Sequence, residues 1–147
     1  MTTSRADTAY DLTVLGAGPA GLAAATTAAR AGARVALIDA GARPGGQYWR
    51  NHADDTGAMH HDWRTFTALR ADLNTYGNLI DYLPHHSVWH IARSDAGFSS
   101  HATAPGGERR IDSRTVVVAT GAYDRQLPFS GWTLPGVPRR SPATEER

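Results

Sequence analysis

Three glycines set as Gly16-x-Gly18-x-x-Gly21, followed roughly 20 residues later by Asp39, are the residues whose types and spacing best suit a defined chemistry. Each glycine has a separate task. Gly16 permits a tight turn, Gly18 lets bare backbone approach a pyrophosphate, and Gly21 lets a following helix pack close to a sheet. Pro19 and Ala20 then open that helix, whose N–H groups and dipole favour phosphate charge. Asp39 is placed to accept hydrogen bonds from both hydroxyls of an adenosine ribose. The same carboxylate repels a 2′-phosphate, which disfavours NADP. The pattern by itself serves FAD or NAD equally, and its plain alternative is a Gly/Ala-rich turn before an ordinary helix.

The elements needed to position these residues are legible around them. Asp11-Leu12-Thr13-Val14-Leu15 reads as a buried strand that runs into Gly16. The alanine-rich stretch from Pro19 to Ala31 reads as a helix, with Pro19 at its first position and Gly32 as its stop. Val35-Ala36-Leu37-Ile38 is a continuous apolar run, as expected of a parallel strand covered on both faces. Strand, helix and strand fit within about 30 residues, the size of one βαβ unit.

Residues 40–58 carry Gly, Arg and Asp without periodicity, and a loop of this length inside a domain is usually functional. From about His60 to Tyr76, Trp63, Phe66, Leu69 and Leu73 recur at helical spacing, with Gly77 able to end the helix. Strands are predicted at Leu79 to Leu83, Ser87 to Arg93, Gly97 to Thr103, Arg109 to Asp112 and Thr115 to Ala119, with a turn at Pro105-Gly106-Gly107. The expected organisation is a polar arm over 1–9, one α/β domain over 10–125, and a disordered Pro/Arg-rich tail over 126–147.

Composition sets the bounds. At 147 residues, 41% hydrophobic and 20% charged, the chain suits one globular domain with a real core. A formal charge of +1 leaves no electrostatic footprint for nucleic acid. There is no cysteine, which excludes disulfides, Cys-ligated zinc and iron–sulfur ligation within this chain. No apolar run approaches the roughly 20 residues that span a bilayer, and the polar start Met1-Thr2-Thr3-Ser4 carries no signal peptide pattern. A cytoplasmic protein is expected.

Other polar clusters point to less. His60-His61 and His85-His86 lack partners at metal-ligand spacing, so surface or capping histidines are expected and no metal. Arg109-Arg110 reads as a solvated strand edge. Arg43 is within sequence reach of a phosphate, although a solvated arginine is the simpler reading.

Two further stretches narrow the ligand. Gly45-Gly46-Gln47-Tyr48-Trp49-Arg50 follows the second strand, and Ala119-Thr120-Gly121-Ala122-Tyr123-Asp124-Arg125 follows the last one. With Leu127-Pro128-Phe129-Ser130-Gly131-Trp132 they resemble the FAD domain of glutathione-reductase-like flavoproteins with two dinucleotide-binding domains. Most similar are the flavoprotein subunits of opine oxidases and hydrogen cyanide synthase, over roughly Tyr10 to Val137. The resemblance implies a Rossmann-like FAD-binding domain, with a parallel sheet and an added β-meander. It implies FAD as cofactor and oxidation of a C–N bond in an amine or amino-acid-like substrate, within a hetero-oligomer of oxidoreductase subunits. Gly45, Gly46 and Gln47 would then lie along the pyrophosphate and ribityl chain. Trp89 would pass the adenine, unless it is a core residue, and Thr120 and Gly121 would close over the cofactor. Tyr123 and Arg125 would anchor the next loop. No catalytic base is identified.

Members of that family continue further, into a second nucleotide-binding domain and a return segment that completes the flavin site. After Val137 this chain turns instead to Pro138-Arg139-Arg140-Ser141-Pro142. The expectation is an FAD-binding domain incomplete at its C-terminus, as a shifted reading frame near Val137 would leave it. Two alternatives stand beside it: a non-catalytic nucleotide-binding module, and a single-domain NAD-binding dehydrogenase.

Overall fold

The computed structural model describes residues 10–52, 55–122, 128–131 and 133–135. The polar arm over 1–9, Tyr123, Arg125 and most of the 126–147 tail lie outside the described residues.

The N-terminal βαβ unit forms as its sequence predicts. Strand β1 (Tyr10–Leu15) leads into helix α1 (Pro19–Arg30) and strand β2 (Val35–Ile38). Helix α1 buries Gly21, Leu22, Ala25, Thr26 and Ala29 along one stripe, and Pro19 occupies its first turn. All four residues of β2 are buried, as a strand covered on both faces requires. A crossover through helix α2 (Trp63–Thr75) brings strand β3 (Ile80–Leu83) parallel to β2. Helix α2 begins three residues later than its periodicity predicts. Asp62 takes a left-handed conformation with φ 52° at its start, and residues 57–60 form a turn beneath Trp63.

The rest is a meander: β4 (Ser87–Ser94), β5 (Gly97–Ala104) and β6 (Gly107–Val118). Here the structure corrects one expectation, because the two predicted strands over 109–112 and 115–119 are a single strand. The N-terminal half of β6 pairs antiparallel with β5, and its C-terminal half pairs parallel with β1. Ser113 is where the partners change, being opposite both Phe98 and Tyr10. Pairing therefore never lapses, and the polar residues at 112–114 do not end the strand. One mixed sheet results, in the order β3-β2-β1-β6-β5-β4.

Two buried clusters hold the layers together. Val14, Leu22, Ala25, Ala29, Val35 and Leu37 join Trp49 and Phe66 between the helices and one sheet face. Leu15, Ala36, Ile38 and Leu83 meet Ala102 and Ile111 of the meander across the other face. The sheet is thus covered by helices on one side and by its own antiparallel extension on the other. Among the described residues no helix is long and apolar enough to cross a membrane.

Candidate functional site

The carboxyl ends of β2, β1 and β6 lie side by side and are laced by backbone bonds. Gly16 N–H donates to the Ile38 carbonyl at 2.7 Å, and Ala119 N–H donates to the Leu15 carbonyl at 2.8 Å. Above them opens a cleft of about 480 Å³, within the range that holds nucleotide-sized ligands. It brings together residues far apart in the chain: Gly16 to Ala20, Asp39, Gly46, Gln47, Thr120 and Gly121.

The three glycines of the fingerprint are required for three different reasons. Gly16 has φ +101°, and a Cβ there would lie 2.4 Å from the Ala119 carbonyl oxygen. A Cβ on Gly21 would meet the Gly16 carbonyl oxygen at 1.7 Å, so this glycine sets how closely α1 approaches β1. Gly18 is the opposite case. A Cβ there meets no protein atom within 4 Å and would project into open space at the cleft. Gly18 is also the N-cap of α1, where no side chain caps the helix and no acidic residue sits in the first turn. The N–H groups at this helix end thus have no side-chain cap, an arrangement suited to an anion.

Asp39 is held rigidly. Its Oδ2 accepts from Ala17 N–H at 3.0 Å and its Oδ1 from Gly41 N–H at 2.9 Å. A carboxylate has about four acceptor positions, so two backbone bonds fix its orientation and leave capacity for ligand hydroxyls. Tyr82 packs nearby with its hydroxyl buried and without a partner among the described residues. Burial first, and the Asp39 charge second, push the Tyr82 phenol well above its ordinary range, so it stays neutral.

The opposite lip belongs to the aperiodic segment after β2. Gly45 itself is buried behind the cleft, its N–H donating to the Ala17 carbonyl at 2.7 Å. Gly46, with φ +62°, brings its backbone against that of Gly18; a Cβ on it would lie 3.0 Å from the Gly18 Cα. Gln47 reaches across and donates from Nε2 to the Ala122 carbonyl at 3.1 Å. This lip has no regular secondary structure of its own and is pinned by Trp49. The indole is 3% exposed, packs on Phe66 at 5.1 Å, and donates from Nε1 to the His61 carbonyl at 3.0 Å.

Two residues in the cleft exceed the sequence expectations. Arg43 lines it, exposed, as the single cation there among the described residues. Tyr48 is the single aromatic side chain in the same lining, and nothing in the sequence singles it out beyond its place after Gln47. Trp89, expected at the adenine or in the core, is not a core residue. Val88 takes the inward position on the edge strand β4, and Trp89 after it is the extra residue where the β4–β5 register shifts. Trp89 is 61% exposed and lies against His90 and His101, outside the cleft lining.

The histidine pairs also separate. His60 Nε2 is 2.8 Å from Asp55 Oδ2 and its ring stacks on Trp63 at 4.8 Å, clamping the turn before α2. The Gly57 N–H, and secondarily His60, hold the Asp55 carboxyl below its usual range. His61 and His85 are exposed, whereas His86 is buried with Nδ1 2.7 Å from the Pro84 carbonyl. Among the described residues no three His, Cys, Asp or Glu side chains gather as a metal set.

Comparison with known proteins agrees with this geometry. The sequence profile of the pyridine nucleotide-disulphide oxidoreductases matches residues 10–145, past the Val137 at which the motif-level resemblance ends. The chain belongs to that family. Among curated members of related sequence, an opine oxidase subunit of Agrobacterium tumefaciens (strain Ach5) is 42% identical over 137 residues, covering 87% of this chain and 27% of the relative. Hydrogen cyanide synthase subunit HcnB of Pseudomonas protegens is 31% identical, covering 84% and 27%. L-proline dehydrogenase from P. horikoshii shares the fold, with a TM-score of 0.66 and 22% identity over 82% of this chain and 24% of that one. The chain thus spans about a quarter of the length of these relatives. Membership in this oxidoreductase family implies a flavin cofactor. The disulphide of the family's name has no counterpart here, because these 147 residues include no cysteine.

Proposed function

We propose that this chain is the FAD-binding portion of a flavin-dependent oxidoreductase acting on amine or amino-acid-like substrates. The single observation that carries the reading is the cleft at three strand ends, with Gly18 open to it, an uncapped helix end below and Asp39 fixed at one side. In this reading Gly18 and the start of α1 hold the pyrophosphate, and Asp39 holds the adenosine ribose. Arg43 offsets phosphate charge, while Gly46, Gln47, Thr120 and Gly121 enclose the remainder. When bound, the flavin supplies the two-electron acceptor for a C–H bond beside nitrogen. The protein's own part is to bind, orient and exclude water. The names of the relatives, subunits of an opine oxidase and of a hydrogen cyanide synthase, support the substrate class and assembly with further subunits. A cytoplasmic location goes with this reading.

A second reading, a nucleotide-binding module without turnover, is favoured by one observation. Among the described residues lining the cleft, Asp39 is the sole titratable side chain apart from Arg43 and Tyr48, and both its oxygens already accept backbone bonds. No free general base stands there among the described residues.

Purifying the chain, recording its visible spectrum and identifying the released nucleotide tests the proposal. A yellow preparation that releases FAD is expected. Tight NAD binding with no flavin overturns it in favour of a dehydrogenase domain. Turnover with an amine donor then separates the catalytic reading from the second one.

A further inference from the structure

The cleft holds one carboxylate, one guanidinium and one aromatic ring among its described lining residues: Asp39, Arg43 and Tyr48. The first two match the ribose and the phosphates of the proposed cofactor. The third has no assigned partner. Tyr48 is 54% exposed, unusual for an aromatic side chain that is tethered at two points. Its ring makes a T-shaped contact with the buried Trp49, with centroids 5.4 Å apart and planes at 67°. Its hydroxyl donates to Asp62 Oδ2 at 3.3 Å, and Asp62 is the residue that starts α2. One neighbour and the hydroxyl are therefore fixed while about half of the side chain remains open at the cleft.

The strand order says which end of a dinucleotide this ring meets. Across the sheet the order is β2, β1, β6, and Asp39 follows β2. Gln47, the residue before Tyr48, bonds to Ala122 beyond β6, which is the side away from Asp39. With the adenosine on Asp39, the other half of the ligand runs toward β6 and the Gln47–Tyr48 lip. Resting on the FAD reading above, we infer that Tyr48 is the aromatic wall on which the flavin ring stacks. It is a positioning residue for the ring. A preset aromatic face loses little side-chain freedom on binding and removes apolar ring surface from water.

The test uses the full chain and two ligands, FAD and ADP, with wild type, Tyr48→Leu and Tyr48→Trp. Affinity and flavin fluorescence are both measured, because a stacked tyrosine or tryptophan quenches flavin emission. The wild type is expected to bind FAD more tightly than ADP and to quench its emission. Tyr48→Leu is expected to weaken FAD by about tenfold, raise the emission of the bound flavin, and leave ADP affinity within about twofold. Tyr48→Trp restores quenching and affinity. Unchanged ADP binding shows that the fold and the adenosine end survive the substitution. Equal loss of ADP and FAD binding overturns the assignment to the flavin end. FAD affinity and emission that do not change in Tyr48→Leu overturn the stacking role while leaving the FAD reading intact. A wild type that binds neither ligand overturns that reading itself.

Discussion

The two lips of the cleft are built on different principles. The fingerprint lip, Gly16 to Gly21, is backbone against backbone: glycine is needed where the Ala119 and Gly16 carbonyls leave no room for a Cβ. The facing lip, over the described residues 40–52 and 55–62, has no regular element and is held by side chains, with Trp49 on Phe66 and His60 on Trp63. The first kind of order is encoded in local spacing, and one residue more or less destroys it. The second is encoded in which distant apolar surfaces an irregular segment meets. The cleft surface is made where the two come within contact, at Gly18 and Gly46.

Substitutions can break this contrast in order of size. Within the fingerprint, Gly21→Ala drives a Cβ into the Gly16 carbonyl and separates α1 from β1. Thermal or urea denaturation is expected to show a loss of about 3 kcal/mol or more. Gly18→Val, three residues away, adds bulk only to open space; it is expected to keep the melting temperature within a few degrees and abolish nucleotide binding. Equal destabilisation by the two would remove the distinction between packing and ligand glycines. On the other lip, Trp49→Ala removes the pin and is expected to cost about 3–5 kcal/mol, with exposure of the segment to protease. A melting temperature at the wild-type value would show that something other than Trp49 orders it.

The smallest expected effect is in acid. The Asp55 carboxyl is held below its unfolded value by the Gly57 N–H and by His60. A depressed native pKa contributes stability that is present above about pH 4, the unfolded value, and is lost as the pH falls through the native one. Asp55→Asn is accordingly expected to be slightly less stable at neutral pH and to shed less stability on going to pH 3. A denaturation midpoint measured against pH in both proteins checks the sign; a steeper acid loss in the variant contradicts it.

The same division explains what could be read in advance. β1, α1 and β2 were legible because apolar runs, an N-terminal proline and glycine stops all agree locally. Gly16, Gly18, Gly21 and Asp39 follow from spacing for the same reason. The start of α2 was not, because a left-handed Asp62 and the Asp55–His60 clamp depend on contacts formed only after folding. Nor was the continuity of β6 through Ser113, since a strand that changes partners has no single alternation to detect. Trp89 shows the limit of residue type. A large aromatic ring reads as a core candidate, yet Trp89 lies exposed where the β4–β5 register shifts, which no local pattern announces.

β6 also decides how the molecule comes apart. At about 3.3 Å per residue, this one strand of 12 residues runs nearly 40 Å. It begins in the meander and ends at Val118, next to Ala119, Thr120 and Gly121 in the cleft wall. The antiparallel half is therefore no removable appendage: peeling β5 away strips one edge of the strand that also holds β1. Cleft wall and meander are therefore expected to open as one cooperative unit, which hydrogen exchange checks as a single free energy shared by the amide protons of β1 and of the β5–β6 ladder.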